Sequence, residues 1–276
     1  MSLNQSSAPI LSVIMSVYNQ AEYLSSSIES ILKQSFRDFE FIIINDGSSD
    51  ESQEILESYA KKDSRIKVFS QGNKGLTKSL NIALDYAEGR YIARQDADDL
   101  SHPKRFERQL EFFKENSEHV LLSTAFEEID LAGKVVIEKF PKQNFCDQKI
   151  RKKISCFNPI AHSSAMFKAF DARGKVYYDE SYRYSQDYAL WVYLLNFSGN
   201  KAAILSDLLL QKRQGLKMIS VKKRREQLYF SIRAKLQAWK LGLMNPKYYL
   251  LLLKDCLVYS LFKKSPREIF SFMKSS

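Results

Sequence analysis

Three carboxylates crowd into four residues at Asp96-Ala-Asp98-Asp99, where the short apolar run Tyr91-Ile-Ala-Arg94 ends. Like charges this close repel by about 1 kcal/mol per pair even in water, and by more where water is excluded, so the cluster asks for a cation. Hard oxygen donors select Mg²⁺ or Mn²⁺, which bind one or two carboxylates and fill the remaining positions with water and substrate phosphates. A divalent ion holding a diphosphate is the chemistry this spacing points to. The same Asp-x-Asp-Asp pattern also occurs in solvated turns, so the neighbouring elements have to decide. A second acidic station is Asp187, just inside a helical stretch through Leu190, Trp191, Leu194 and Leu195. There it is either a general base or a plain helix cap, and as a cap the helix N-terminus would hold its pKa low.

The elements that must position these groups alternate. Ile10 to Val17 is an apolar run of strand length, and Asn19 with Glu22 three residues on marks a helix start before Ile28, Ile31 and Leu32. Phe39 to Ile44 is a second buried strand, ending in Asn45-Asp46-Gly47-Ser48-Ser49-Asp50, where Ser48 and Glu51 form another capping box. Arg65 to Phe69 is a third strand, and Gly72-Asn73-Lys74-Gly75 then turns into a helix carrying Leu76, Leu80, Ala83 and Leu84. The strand at Tyr91 closes the series. Apolar strands alternating with helices predict an α/β fold with a parallel sheet covered on both faces, whose ligands sit at the carboxyl ends of the strands. Asn19, Asp46, the Gly72 to Gly75 turn and Asp96 to Asp99 all follow predicted strands, so they converge on one crevice.

Beyond Pro103 the pattern becomes mixed: a helix with Phe106, Leu110 and Phe113, a strand around Val120 to Phe126, a hairpin at Gly133 and a short strand from Ser163 to Phe167. Gly-x-Gly-x-x-Gly and the Gly-x-x-x-x-Gly-Lys-Ser/Thr loop are absent, which argues against a dinucleotide oxidoreductase and a P-loop kinase. A metal, rather than a glycine cradle, must then handle any phosphate. With 276 residues, 45% of them hydrophobic and 27% charged, the chain is an ordinary globular protein. It shows no signal-peptide pattern and no apolar stretch of transmembrane length, so a cytosolic location is expected. Cys146, Cys156 and Cys256 lack any Cys-x-x-Cys pairing and read as reduced structural thiols.

The order of these motifs resembles family 2 glycosyltransferases, nucleotide-sugar-dependent enzymes of the GT-A fold. The resemblance rests on Ser12-Val-Ile-Met-Ser-Val-Tyr-Asn19, Ile43-Ile-Asn-Asp-Gly-Ser-Ser-Asp50, Asn73 to Asn81, Gly89-Arg-Tyr-Ile-Ala-Arg-Gln-Asp-Ala-Asp-Asp99 and Gln186-Asp-Tyr-Ala-Leu-Trp191, and it covers about residues 10 to 215. The Ala-Arg-Gln-Asp-Ala-Asp-Asp form, followed by Pro103, Arg105 and Gln109, is similar to the branch found in bacterial capsule and O-antigen synthesis. The resemblance implies a catalytic domain over 1–215 and a helical extension over 216–276. It implies that Tyr18, Asn19 and Asp46 line the base pocket, with Asp46 accepting a base N–H. Asn73, Lys74 and Arg94 fall in matching motifs and join the donor-binding set. Asp96 would contact the ribose or a metal-bound water, and Asp98 would coordinate Mn²⁺ or Mg²⁺ on the donor diphosphate, most naturally that of a UDP-sugar. Asp187 would be the general base of an inverting transfer to a hydroxyl of a glycan or lipid-linked acceptor.

Two positions depart from the family pattern. Gln186 stands where many relatives have Glu, leaving Asp187 without an acidic neighbour and its pKa lower than a paired carboxylate would have. A loop motif Arg-x-His is replaced by Lys212-Arg-Gln-Gly-Leu-Lys217, in which Arg213 or Lys217 is the expected substitute for the histidine. His162 matches a family position near the donor phosphates or acceptor, or is structural.

From residue 211 onward there are 16 basic and three acidic residues, with Leu228, Ile232, Leu236 and Trp239 at helical spacing. Cations around an apolar helix face fit a helix lying on an anionic membrane, here the inner face of the cell membrane; the alternatives are packing against the catalytic domain or against a second subunit in a homodimer. A nucleic-acid partner is not expected, since no aromatic and basic residues are arranged as a reader. Two rival functions remain open. A nucleotidyltransferase would need a glycine-rich N-terminal loop that is missing, and a non-catalytic nucleotide-sugar-binding subunit would keep the core without turnover.

Overall fold

The computed structural model describes residues 8–139, 144–154, 156–171, 173–214, 224–243 and 249–261. Three strand-helix units open the chain: β1 (Leu11–Val17) and α1 (Ala21–Leu32), β2 (Phe39–Asp46) and α2 (Ser52–Lys62), β3 (Ile66–Gln71) and α3 (Leu76–Tyr86), followed by β4 (Tyr91–Arg94). All eight residues of β2 and all four of β4 are buried, as a two-faced parallel strand requires. Burying each large aliphatic side chain contributes about 1.5–3 kcal/mol, so these strands anchor the crevice rigidly.

After β4 come β5 (Leu100–Ser101), α4 (Arg105–Glu115), β6 (His119–Ile129), β7 (Val135–Lys139), α5 (Asp147–Ile154), a 3₁₀ turn over His162–Ser164, β8 (Met166–Lys168), β9 (Phe170–Asp171) and β10 (Gly174–Lys175). The chain continues through α6 (Gln186–Leu195), β11 (Lys201–Arg213), α7 (Arg224–Lys240) and α8 (Tyr249–Leu261). The main sheet runs β3-β2-β1-β4-β8-β6-β11-β5, with β7 paired to β6 as a hairpin. Pairing is parallel from β3 through β4 and again between β6 and β11. It is antiparallel where β8 joins β4 to β6. Two antiparallel steps restore direction, so the carboxyl ends of β1, β2, β4, β6 and β11 all meet at one edge.

Several expectations are corrected in detail. Neither predicted capping box forms. Instead the Asp50 carboxylate accepts from Ala21 N at 3.0 Å and Ser52 N at 3.1 Å, and Ser52 Oγ accepts from Gln20 N, so one loop caps the helices of both neighbouring units. The strand expected from Ser163 begins only at Met166, because residues 162–164 curl into a 3₁₀ turn that returns Ser163 to the acidic loop. β11 and α5 went unread. Ser206 and Asp207 split β11 at a register shift between Leu205 and Leu208, hiding its period, and α5 carries only Ile150 and Ile154 as buried residues.

Two glycines are sterically required. Gly47 sits at φ +76°, and a Cβ there would fall 2.7 Å from Asn73 N, closing the gap between two loops of the crevice. A Cβ on Gly89 would fall 2.5 Å from Ser12 N, where the chain enters β4 against β1. Helix α7 is built into the main core: Ala234 and Ala238 are fully buried in the same cluster as Tyr182, Tyr188 and Trp191.

Candidate active site

The crevice has a turn-held end and a charged end. At the first, Asp46 closes β2 with its side chain buried, and its Oδ1 accepts from Lys74 N and Gln71 Nε2 while Oδ2 accepts from Gly75 N, each at 2.8 Å. Three of its four acceptor directions are therefore filled by the protein. Asp46 thus holds the Gly72 to Gly75 turn, and one lone pair on Oδ2 is left for an incoming N–H. Asn19, in a left-handed conformation at φ 53°, accepts from Ser49 N at 2.8 Å. Tyr18, Asn19, Asn73 and Lys74 are exposed around this end, Tyr18 by 50%.

At the charged end the three carboxyls occupy different environments. Asp96 pairs with the fully buried Arg94 guanidinium at 2.5 Å and its own side chain stays 34% exposed. Although burial opposes ionisation, Arg94 and Lys212 hold the Asp96 carboxyl below its usual pKa. Asp98 is pushed up to about 6 by burial and by the charge of Asp96. Asp99 is buried and pushed up to about 8 by burial, then by Asp96 and Asp98. Its Oδ1 accepts from Arg213 N at 2.9 Å, and its buried Oδ2 has no partner among the described residues. The loop is stiffened from beneath: Gln95 donates to Asp99 O and accepts from Arg105 and Ser101, and Ser163 Oγ accepts from Asp96 N. Arg94 Nε and Nη2 remain unfilled donors among the described residues.

Among the described residues no three His, Cys, Asp or Glu side chains form a metal centre. The donor set still fits an ion that the protein holds weakly alone. Asp98 is a carboxylate disfavoured in its charged form by burial and a like neighbour, which a divalent cation would relieve, with phosphate oxygens and water completing the shell.

The start of α6 carries the second acid. Asp187, half-buried at the start of α6, is raised in pKa: burial outweighs the Tyr188 N–H and Lys212, and the Asp96 charge adds to it. The expectation that the helix end alone would keep it low is overturned by desolvation. Its Oδ2 accepts from Asn158 Nδ2 at 2.7 Å, and Asn158 Oδ1 accepts in turn from Ile160 N, which fixes the amide's orientation. His162 Nε2 lies within 2.9 Å of Tyr178 Oη. Burial and Arg94 hold His162 well below its usual pKa, so it is a neutral imidazole. The charges of Asp96 and Asp187 both act on Tyr178, which places it within reach of both stations.

A family model described as glycosyl transferase family 2 matches residues 12–201, well over half of the chain. The chain belongs to that family. The amylovoran biosynthesis glycosyltransferase AmsE of Erwinia amylovora is 31% identical over 240 residues, covering 85% of this chain and 86% of AmsE. The O-antigen biosynthesis glycosyltransferase WbnJ of Escherichia coli is 35% identical, covering 68% of this chain and 72% of WbnJ. Other curated relatives are longer: the chain spans 64% of an uncharacterized glycosyltransferase, MJ1057, of Methanocaldococcus jannaschii. In fold the glycosyltransferase is similar to S. aureus TarS 1-349 in complex with UDP-GlcNAc, with a TM-score of 0.70 at 20% identity over 95% of this chain and 75% of that one. It is also similar to the mannosyltransferase PcManGT of Pyrobaculum calidifontis in complex with GDP-Man and Mn²⁺, with a TM-score of 0.65 at 15% identity over 98% of this chain and 80% of that one.

Within this family-2 chain Tyr18, Asn19, Asp46, Asp96 and Asp98 stand at or just after the ends of β1, β2 and β4, whereas His162 lies in the 3₁₀ turn and Asp187 opens α6; Arg213 is reassigned. Arg213 is buried and spent on structure: Nε donates to Asp98 O, Nη1 to Asp130 O and Leu131 O, and the guanidinium lies 4.4 Å from the Tyr23 ring centre. Its neighbour Lys212, on the other face of β11, supplies the positive charge felt by Asp96, His162 and Asp187. Strand alternation would have revealed this had β11 been recognised. Lys217 lies outside the described residues. Asn158 and Tyr178 were also missed, because each stands in a loop where no period marks it.

Proposed function

We propose that this glycosyltransferase moves a sugar from a nucleoside-diphosphate donor, a UDP-sugar, to a hydroxyl of a glycan or lipid-linked acceptor, with inversion and with a divalent metal, in the synthesis of a cell-surface polysaccharide. The reading is supported by the nearness of two acidic stations, the loop after β4 and Asp187 at the start of α6, whose charges act on each other. Asp187 takes the proton from the acceptor hydroxyl, whose oxygen forms a bond to the anomeric carbon as the bond to the diphosphate oxygen breaks on the opposite side. A raised pKa makes Asp187 a stronger base, and Asn158 leaves its Oδ1 free to receive the proton. Asp98 would hold Mn²⁺ or Mg²⁺, which supplies charge stabilisation to the departing diphosphate. Arg94, Asp96, His162 and Lys212 shape the field around that oxygen, while Tyr18, Asn19, Asp46, Asn73 and Lys74 receive the nucleoside.

The surface-polysaccharide assignment rests on the likeness to AmsE and WbnJ. The UDP and metal assignments draw on the ligands of TarS and PcManGT together with the acidic loop described above. A lipid-linked acceptor presents its hydroxyl at the cytoplasmic face of the membrane, where we place the enzyme. The test is a thermal-shift panel of nucleoside diphosphates and their sugars with and without Mn²⁺, followed by donor hydrolysis. A metal-dependent shift with one base, and release of its nucleoside diphosphate that Asp98→Asn abolishes, is the expected result. No shift with any nucleotide refutes the reading, and tight binding without turnover identifies a non-catalytic binding subunit instead.

A further inference from the structure

Helices α7 and α8 pair through a small apolar seam of Ile232, Leu252, Leu228, Cys256 and Tyr259, and α7 packs its other side on α6. What they leave outside is both apolar and basic. Tyr229, Leu236, Trp239 and Leu241 on or just after α7 are 46%, 37%, 53% and 37% exposed, and Leu253 and Leu257 on α8 are 46% and 60% exposed. Tyr229 and Leu236 stand seven residues apart on one face of α7, and Leu253 and Leu257 stand one turn apart on α8. The cations Arg225, Lys240 and Lys254 are exposed on the same two helices, with Arg233 half-exposed. The acidic residues there are Glu226 and Asp255, and Asp255 is neutralised by Lys235.

The net charge of the chain lies in the C-terminal part of the sequence, of which α7 and α8 carry Arg224, Arg225, Arg233, Lys235, Lys240 and Lys254. Residues 216–276 hold 14 basic and three acidic residues, a net +11 against +10 for the whole chain, so everything before them is close to neutral. No described helix is long and apolar enough to cross a membrane. Exposed leucines and aromatics interleaved with lysines and arginines match the headgroup and acyl boundary of an anionic bilayer, where apolar side chains insert and cations meet lipid phosphates.

We infer that the outer face of α7 and α8, centred on Tyr229, Leu236, Leu253 and Leu257, docks this enzyme on an anionic lipid surface. This names the partner implied by the proposed lipid-linked acceptor and rests on that reading for its purpose, while the binding itself is measured apart from turnover. The docked face connects directly to the acceptor wall. Tyr182 Oη donates to Gln237, Arg233 donates to Ser181 at two atoms, and Ser185 Oγ donates to Gln227 O, so α7 grips the loop leading into Asp187. A bilayer seated on α7 and α8 lies against the same unit that carries the acceptor side of the crevice.

The test uses the full chain with vesicles of phosphatidylcholine alone or with phosphatidylglycerol. Sedimentation with the anionic vesicles, at least about tenfold stronger than with the neutral ones and weakened by salt, is expected. The chain has two tryptophans, and Trp191 is fully buried, so a blue shift on vesicle addition reports Trp239 and is lost in Trp239→Phe. Lys240→Glu with Lys254→Glu, both at exposed positions, lowers vesicle binding about tenfold without changing the melting temperature. Equal binding to both vesicle types, or none, overturns the inference. A dimer in light scattering that Leu253→Asp with Leu257→Asp dissociates also overturns it, because a second copy then covers the face. Donor-induced thermal shifts on the same samples separate the two readings: vesicle binding with no donor shift sinks the transferase proposal and leaves the docking intact.

Discussion

Replacing Asn158 with alanine tests the acceptor wall most directly. Asn158 donates from Nδ2 to Asp187 Oδ2 at 2.7 Å, and the Ile160 N–H on its Oδ1 prevents the amide from flipping into an acceptor. The bond therefore favours the ionised carboxylate, against the burial that raises its pKa. A hydrogen bond to a charged group is worth about 1.5–3 kcal/mol, and the half-buried setting argues for the lower figure, which corresponds to about one pKa unit. The groups facing Asp187 from elsewhere, namely Lys212, Asp96, Arg94 and Tyr178, are unchanged by the substitution. In Asn158→Ala the acidic limb of the kcat/KM profile moves to higher pH by about one unit, and turnover below that limb falls about tenfold. The donor-induced thermal shift stays as it was. Carbon-13 NMR of labelled aspartate reads the Asp187 titration itself, without any acceptor. Asn158→Asp, which sets a carboxyl against Asp187, moves the limb further in the same direction. An Asp187 titration identical in wild type and both folded variants would refute the reasoning, and full activity in Asp187→Asn would refute the base assignment itself.

Further outcomes follow from the same geometry. Lys212→Met removes a charge that lowers Asp187, so it too raises the acidic limb, whereas Arg213→Ala acts on stability, costing about 3 kcal/mol in urea unfolding through lost bonds to Asp98 O, Asp130 O and Leu131 O. In metal-free buffer Asp99, whose folded pKa lies at about 8, keeps a proton that the unfolded chain releases near pH 4, so stability declines as pH rises between those values. Asp99→Asn, shaped like the protonated acid, flattens that decline in a pH series of melting temperatures; an unchanged slope would show Asp99 to be ionised in the fold. Gly47→Ala forces a Cβ to within 2.7 Å of Asn73 N at a positive φ, so it weakens nucleotide binding by more than tenfold in calorimetry while Asp98→Asn abolishes its metal dependence.

Most of the proposed donor half of this site was legible in the sequence, whereas of the proposed acceptor half only Asp187 was, for a physical reason. Asn19, Asp46 and Asp96 follow buried strands whose continuous apolar runs announce themselves, and a parallel sheet brings strand ends together without further information. Where the sheet turns mixed, β8 is three residues long and β11 is broken by Ser206 and Asp207, so the strand that presents Lys212 left no readable period. Arg213 and Lys217 are the substitutes that motif position alone suggests, and nothing in that motif points to Lys212. Asn158 acts through one side-chain hydrogen bond across 29 residues, and such a pairing has no local signature. Electrostatics were legible in kind but not in sign: a helix-start aspartate reads as low in pKa until the walls that desolvate it are known.

The same contrast bears on how the enzyme divides rigidity. The donor end is held by backbone amides and buried strands, as where three protein donors grip Asp46. The proposed acceptor end includes a loop, 177–184, that is clasped rather than woven. Asn81 on α3 exchanges bonds with the backbone of Tyr178, Thr77 donates to Tyr182 O, and α7 holds Ser181 and Tyr182 from the other side. A clasped loop can be recut without disturbing the sheet, so acceptor preference can change through residues 177–184 and α7 while the acidic loop and its nucleotide pocket stay fixed. Exchanging Thr77 and Asn81 for alanine would loosen that loop from α3 without touching a residue of the donor pocket. The expected result is an acceptor KM raised several-fold with the donor thermal shift intact, and an equal loss of both would show that the two ends are mechanically one.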